Sequence, residues 1–151
     1  LAGPIARHIA EYRANGDDVI FTFDTHGPDY RDTQEGRKLP VPHCIRDTVG
    51  WNLYGAVAEA AGDGDKHFCK PTFPSLELGK YLEQREYDRV ELCGLVSNIC
   101  VLSNAVIAKA ALPEAEIVVD ANLTASGDPV LHEKALDVLE GIQVTVLNRK
   151  E

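Results

Sequence analysis

Arg89-Val90-Glu91-Leu92-Cys93 runs into Gly94-Leu95-Val96-Ser97-Asn98-Ile99-Cys100-Val101, and the chain stays largely apolar from there to Leu112. The first five residues read as a short strand, and Asn98 to Ala111 as a mostly apolar helix, so a strand passes into a helix across a few glycine-containing residues. A second β-branched run, Ile117 to Val119, follows closely. A strand, a helix and another strand at this spacing call for parallel pairing, because the helix carries the chain back across the sheet.

The same alternation extends in both directions. Downstream come a helix over Pro129 to Glu140 and a strand over Gln143 to Leu147. Upstream, Lys66 to Cys69 reads as a strand, and Ser75 to Arg85 as a helix with Leu78 and Leu82 inward. Asn52 to Ala61 reads as a short helix and Val19 to Phe23 as a buried strand. Pro4 to Ala14 places Ile5, Ile9 and Tyr12 on one helical face and stops before Asn15-Gly16. The expectation is an α/β fold of three layers, Rossmann-like, with a mainly parallel sheet between helices on both faces and one domain over residues 1–151.

Bulk composition narrows the function. Of the 151 residues 44% are hydrophobic and 26% charged, an ordinary globular balance, and the formal net charge is -9. Nucleic acids and anionic membranes are bound through Lys and Arg, so neither is expected as a partner. The longest nearly apolar stretch, Ile99 to Leu112, is interrupted by Ser103, Asn104 and Lys109 and falls short of the ~20 residues of a membrane span. Four cysteines, Cys44, Cys69, Cys93 and Cys100, show no close pairing, which fits a reducing, cytoplasmic setting. Methionine is absent, including at position 1, and the N-terminus is therefore expected upstream of Leu1.

In parallel sheets ligands bind beyond the carboxyl ends of the strands. Three polar clusters sit there: Asp24-Thr25-His26, Lys70, and the Gly94 to Cys100 segment. Cys100 falls in the first turn of its helix, where free backbone N–H groups favour a thiolate and would lower its pKa. The competing reading is a small buried core cysteine, as expected for Cys93 within its strand. Lys70 is either a strand-end surface lysine or a charge that lines a site. Asp24 and His26 leave an extended segment on the same side and suit one ion, with Glu35 and His43 further along the long Asp24 to Gly50 loop able to complete its shell. Carboxylate plus imidazole suits zinc, iron or manganese. His8, His67 and His132 read as structural or solvent-facing.

With these residues in view, Gly94-Leu95-Val96-Ser97-Asn98-Ile99-Cys100-Val101 followed by Ala105 resembles the signature of the isochorismatase-like cysteine hydrolases. That resemblance implies a cis peptide between Leu95 and Val96, and an oxyanion hole made by the N–H groups of Val96 and Cys100. Lys70-Pro71-Thr72-Phe73 resembles the family's catalytic lysine with a following aromatic, which makes Phe73 a wall of the substrate pocket beside Trp51 and Leu39. Phe23-Asp24-Thr25-His26 and Pro42-His43-Cys44 are similar to the metal-binding segments of the nicotinamidase branch, with Glu35 as a further ligand. The family's triad also includes an aspartate in a segment like Asp-x-Gln-x-Asp-Phe at the end of an earlier strand. No aspartate here matches it: either a strand and loop upstream of Leu1 carry it, which the missing methionine favours, or the chain is a homologue that lacks its base.

The resemblance implies a cysteine-dependent amidohydrolase that turns nicotinamide into nicotinic acid and ammonia through a thioester. It implies a divalent metal ion, zinc first, and a homo-oligomer. The alternatives are a related amidase or carbamoyl hydrolase with another small amide substrate, and a non-catalytic α/β binding module in which Cys100 and Lys70 are incidental.

Overall fold

The computed structural model describes residues 1–150. Helix α1 (Ala2–Ala14) buries Ile5 and Ile9, while Tyr12 is only partly covered and its hydroxyl donates to Glu91 at 2.6 Å. Strand β1 (Ile20–Asp24) alternates, with Phe21 and Phe23 buried on one face, as a period-2 pattern requires. Strand β2 (Lys66–Lys70) pairs with β1 in parallel, Ile20 opposite Lys66 and Asp24 opposite Lys70. Helix α4 (Leu76–Leu82) leads to β3 (Arg89–Leu95), a five-residue π turn (Ser97–Val101) and α5 (Leu102–Ala111). The chain closes with β4 (Glu116–Ala125), α6 (Pro129–Gly141) and β5 (Thr145–Leu147).

Two apolar clusters define the layers. Phe21, Phe23 and Leu123 of the strands pack against Ile5 and Ile9 of α1, with Val57 and Ala60 of α3 (Ala56–Ala60) alongside. On the other face Ile117 and Val119 meet Leu78 and Leu82 of α4, Ala105 and Ala108 of α5, and Leu136 and Leu139 of α6. Burying a leucine as fully as Leu139 contributes about 1.5–3 kcal/mol. The arrangement is therefore the three-layer α/β fold that the alternation of elements calls for.

The strands do not form one continuous sheet. β1 and β2 make a two-stranded sheet, β3, β4 and β5 a three-stranded one in that order, all parallel. Among the described residues β1, β2, β3 and β5 thus each keep one edge without a ladder partner. Three local differences stand out, and two have visible causes. The helix expected over Asn52 to Ala61 is reduced to α3, because Val49–Trp51 forms a tight 3-10 turn and Gly55 sits at φ 52° just before it. β4 is much longer than Ile117 to Val119, since its register with β3 slips between Leu92 opposite Val119 and Gly94 opposite Thr124. Cys93, expected within an apolar strand interior, is exposed. All four cysteines are free, and no described helix is long and apolar enough to cross a membrane.

Candidate active site

Register sets the site. Because Asp24 and Lys70 are paired at the carboxyl ends of β1 and β2, both side chains emerge at one edge. Lys70 is 2% exposed, a burial that is costly for an ammonium without partners. Its Nζ donates to Thr72 O at 3.2 Å and to Cys100 Sγ at 3.4 Å, and lies 3.6 Å from Asp24 Oδ1. One buried cation thus stands between a thiol and a carboxylate.

The turn that presents Cys100 is built from the end of β3. Gly94 takes φ 108°, a conformation open to glycine and strained for other residues, and its carbonyl accepts the Thr124 hydroxyl at 2.8 Å. The Leu95–Val96 peptide is cis. Val96 O then accepts the N–H groups of Ile99 and Val101, both at 3.2 Å, which coils the following residues into the π turn. Ser97 is fully buried, and its hydroxyl shares a 2.8 Å hydrogen bond with His132 Nδ1 of α6. The start of a helix was expected to lower the pKa of Cys100. Instead burial pushes the thiol above its ordinary value; Lys70 pulls it down by charge and hydrogen bond, and the carboxylates of Asp24 and Glu35 push it up again.

Beside this lies a metal-type cradle. One ligand atom from each of Asp24, His26, Glu35 and His43 falls within 4.8 Å of all the others. His26 Nε2 is 3.3 Å from Asp24 Oδ2 and 3.6 Å from Glu35 Oε1, and His43 Nε2 is 3.3 and 3.5 Å from the same two atoms. His43 Nδ1 is 2.8 Å from Val41 O, which holds the ring with Nε2 inward in the manner of an oriented metal ligand. Asp24 Oδ1, His26 Nε2 and both Glu35 carboxylate oxygens are buried with no hydrogen-bond partner. Buried polar atoms are ordinarily satisfied, so His26 Nε2 and the Glu35 carboxylate, left without partners beside Asp24 Oδ2 and His43 Nε2, fit a divalent cation.

The loop reaches this geometry through residues that the sequence reading passed over. Thr33 caps α2 (Gln34–Lys38), accepting the Gly36 N–H at 3.0 Å and donating to Tyr30 O at 2.6 Å, which aims Glu35 inward. A Cβ on Gly36 would lie 1.9 Å from Tyr30 O, so only glycine fits there. Tyr30 is 1% exposed; its ring meets His26 and His43 edge-on at 4.8 and 5.1 Å, and its hydroxyl donates to Leu39 O at 2.8 Å. The far side of the loop is tied back by His26 N–H to Cys44 O at 3.0 Å and Arg46 N–H to His26 O at 2.9 Å. An aromatic residue isolated in a polar loop was the available signal for Tyr30.

The three residues expected to line the substrate pocket are placed differently from one another. Trp51 Nε1 donates to the hydroxyl of Thr25 at 2.8 Å, between the candidate ligands Asp24 and His26, and its ring packs on Phe23 at 5.3 Å. Phe73 is 37% exposed and its carbonyl is bonded to Asn104 on the Cys100 helix. Leu39 is exposed at the end of α2, joined to the cradle through Tyr30 rather than to Phe73. Asn104 and His132, neither of them expected at the site, also touch the Cys100 turn.

Comparison with known proteins places the fold. The isochorismatase family protein PncA of Bacillus subtilis is 31% identical over 107 residues, covering 64% of this chain and 56% of its own length. The nicotinamidase of Saccharomyces cerevisiae is 25% identical over 163 residues, covering 95% of this chain and 75% of its own. The chain thus spans roughly half to three quarters of these two relatives. The crystal structure of the nicotinamidase/pyrazinamidase PncA from Bacillus subtilis superposes with a TM-score of 0.84 at 29% identity, over 97% of this chain and 83% of that one. The model of the isochorismatase domain matches residues 1–151, and on that match along its whole length the chain belongs to the isochorismatase family.

Proposed function

We propose that the chain is the greater part of a metal-containing cysteine amidohydrolase that converts nicotinamide to nicotinic acid and ammonia. The observation that carries this reading is Lys70, whose buried ammonium bonds the Cys100 thiol at 3.4 Å and stands 3.6 Å from a carboxylate of the metal cradle. A nucleophile and an ion-binding cradle that share one cation form a single site. The choice of nicotinamide follows the two relatives named for that activity, and the same chemistry would serve another small aromatic amide.

In this reading the Cys100 thiolate attacks the amide carbonyl carbon, and the carbonyl pair moves to oxygen, where the N–H groups of Val96 and Cys100 would receive it. The tetrahedral adduct collapses by breaking the C–N bond, the amine leaves with a proton as ammonia, and water then cleaves the thioester to the acid and the free thiol. Because the thiol is held above its ordinary pKa, a base must take its proton. The Lys70 ammonium holds the negative charge in place. The third triad member, an aspartate, has no match among the described residues, and the division of the parallel strands into two separate sheets favours one more parallel strand in the native protein to carry it. An ion held by Asp24, His26, Glu35 and His43, zinc before iron or manganese, would supply a Lewis-acidic anchor beside the pocket. Phe73 and Trp51 would flank the ring.

The test is ammonia release from nicotinamide by the protein with its natural N-terminus, wild type beside Cys100→Ala, in zinc-replete and chelated buffer. Release that vanishes in the variant and drops on chelation supports the proposal. Zinc at about 100 times its Kd should also stabilise the fold by about 2.7 kcal/mol, read as a higher Tm. Wild-type protein that releases no ammonia would remove nicotinamide as substrate.

A further inference from the structure

Asn104 stands one helical turn after Cys100 and is 4% exposed. Its carboxamide makes three hydrogen bonds in two directions. Towards its own helix, Nδ2 donates to Cys100 O at 2.8 Å. Towards the segment that follows Lys70, the same Nδ2 donates to Phe73 O at 3.1 Å and Oδ1 accepts the Ser75 N–H at 2.9 Å. That segment is fixed at both ends as well: Lys70 Nζ holds Thr72 O, and the Ser75 hydroxyl caps α4 by accepting the Leu78 N–H at 3.1 Å. The side chain therefore spans the gap between the nucleophile turn and the stretch that carries the lysine and the exposed aromatic ring.

Few side chains can do this. An amide offers donors and an acceptor on one planar group, whereas a carboxylate only accepts and a hydroxyl here would bond back to the carbonyl one turn earlier without reaching the other segment. Leucine has a comparable size and no polar atom. A residue needed only to complete the helix would use one of these bonds; Asn104 uses three, two of them across the gap.

We propose that Asn104 is a positioning residue, an amide clamp that fixes the spacing of the Cys100 turn from Phe73 and, through Thr72, the aim of the Lys70 ammonium. The proposal rests on the amidohydrolase reading above for its kinetic arm, and on Cys100 reactivity for an arm that needs no substrate. Without the clamp the stretch from Thr72 to Ser75 loosens, and with it the Thr72 carbonyl that holds Lys70 Nζ, so the ammonium loses its fixed aim at the thiol and the ring its wall.

Asn104→Leu and Asn104→Thr are compared with wild type and with Leu139→Ala, a core truncation on α6 that serves as the control for lost stability. Nicotinamide kcat and KM are measured, together with the rate at which iodoacetamide labels Cys100, followed on its own peptide by mass spectrometry, at a temperature where every variant is folded. Both Asn104 variants should lose roughly 10–100-fold in kcat/KM and slow Cys100 labelling at least several-fold, with threonine no better than leucine. Leu139→Ala should keep wild-type values of both. Threonine restoring wild-type rates, or Leu139→Ala losing as much, overturns the proposal. Should Asn104→Leu not fold, Asn104→Thr alone decides. Wild type releasing no ammonia would sink the substrate reading and leave the labelling arm to judge Asn104.

Discussion

Lys70 and Cys100 set the terms at the scale of single residues. Removing the ammonium by Lys70→Met leaves the thiol facing burial and two carboxylates unopposed, so its pKa rises further and kcat/KM should fall by roughly 10²–10⁴-fold. Labelling of Cys100 by iodoacetamide is expected to climb with pH beyond the ordinary cysteine range in wild type, and to need still higher pH in Lys70→Met; identical profiles would contradict that assignment. Stability follows the same sign. Burial raises the pKa of both Cys100 and Cys44, so the folded state holds these protons more tightly than the unfolded chain. Stability from this source is intact below about pH 8.5 and is lost as the pH rises through the folded values.

At the scale of elements, the metal cradle depends on α2, a helix of five residues that could not stand alone. Gly36→Ala would drive a methyl into the Tyr30 carbonyl and displace Glu35, so it should destabilise the protein by about 1–3 kcal/mol and weaken zinc binding, with urea melts and metal titration as the measures. Nothing in the string Gln34 to Lys38 announces a helix, since it is short, polar and without apolar period. The sequence does give the ligand types Asp24, His26, Glu35 and His43, but what gathers them is a threonine cap, a tyrosine wall and a close backbone approach, all of them tertiary facts. Elements with strong periodicity were the readable ones: α1, α6 and the strand-to-turn passage at Gly94. The extension of β4 was hidden because its register slips past Leu92, and period-2 reading assumes that pairing continues unbroken. The raised thiol pKa of Cys100 was hidden for a similar reason, since a helix start is visible in sequence and the depth of burial around it is not.

Over the whole molecule, the layers divide the labour: α4, α5 and α6 bury one face, α1 and α3 the other, and the carboxyl ends of the strands are left to chemistry. In the 151-residue chain, without the further strand proposed above, the free strand edges bear on how copies of the chain behave toward one another. Strand edges with free N–H and C=O groups are templates for edge-to-edge pairing, and Leu95, 59% exposed, lies at the end of one of them. A net charge of -9 keeps copies apart at low ionic strength. Salt shortens the reach of that repulsion to roughly 8 Å at physiological strength and 3 Å at 1 M, while leaving the edges untouched. Light scattering of the 151-residue chain should therefore rise with added salt, the reverse of the behaviour of a protein whose self-association is driven by opposite charges.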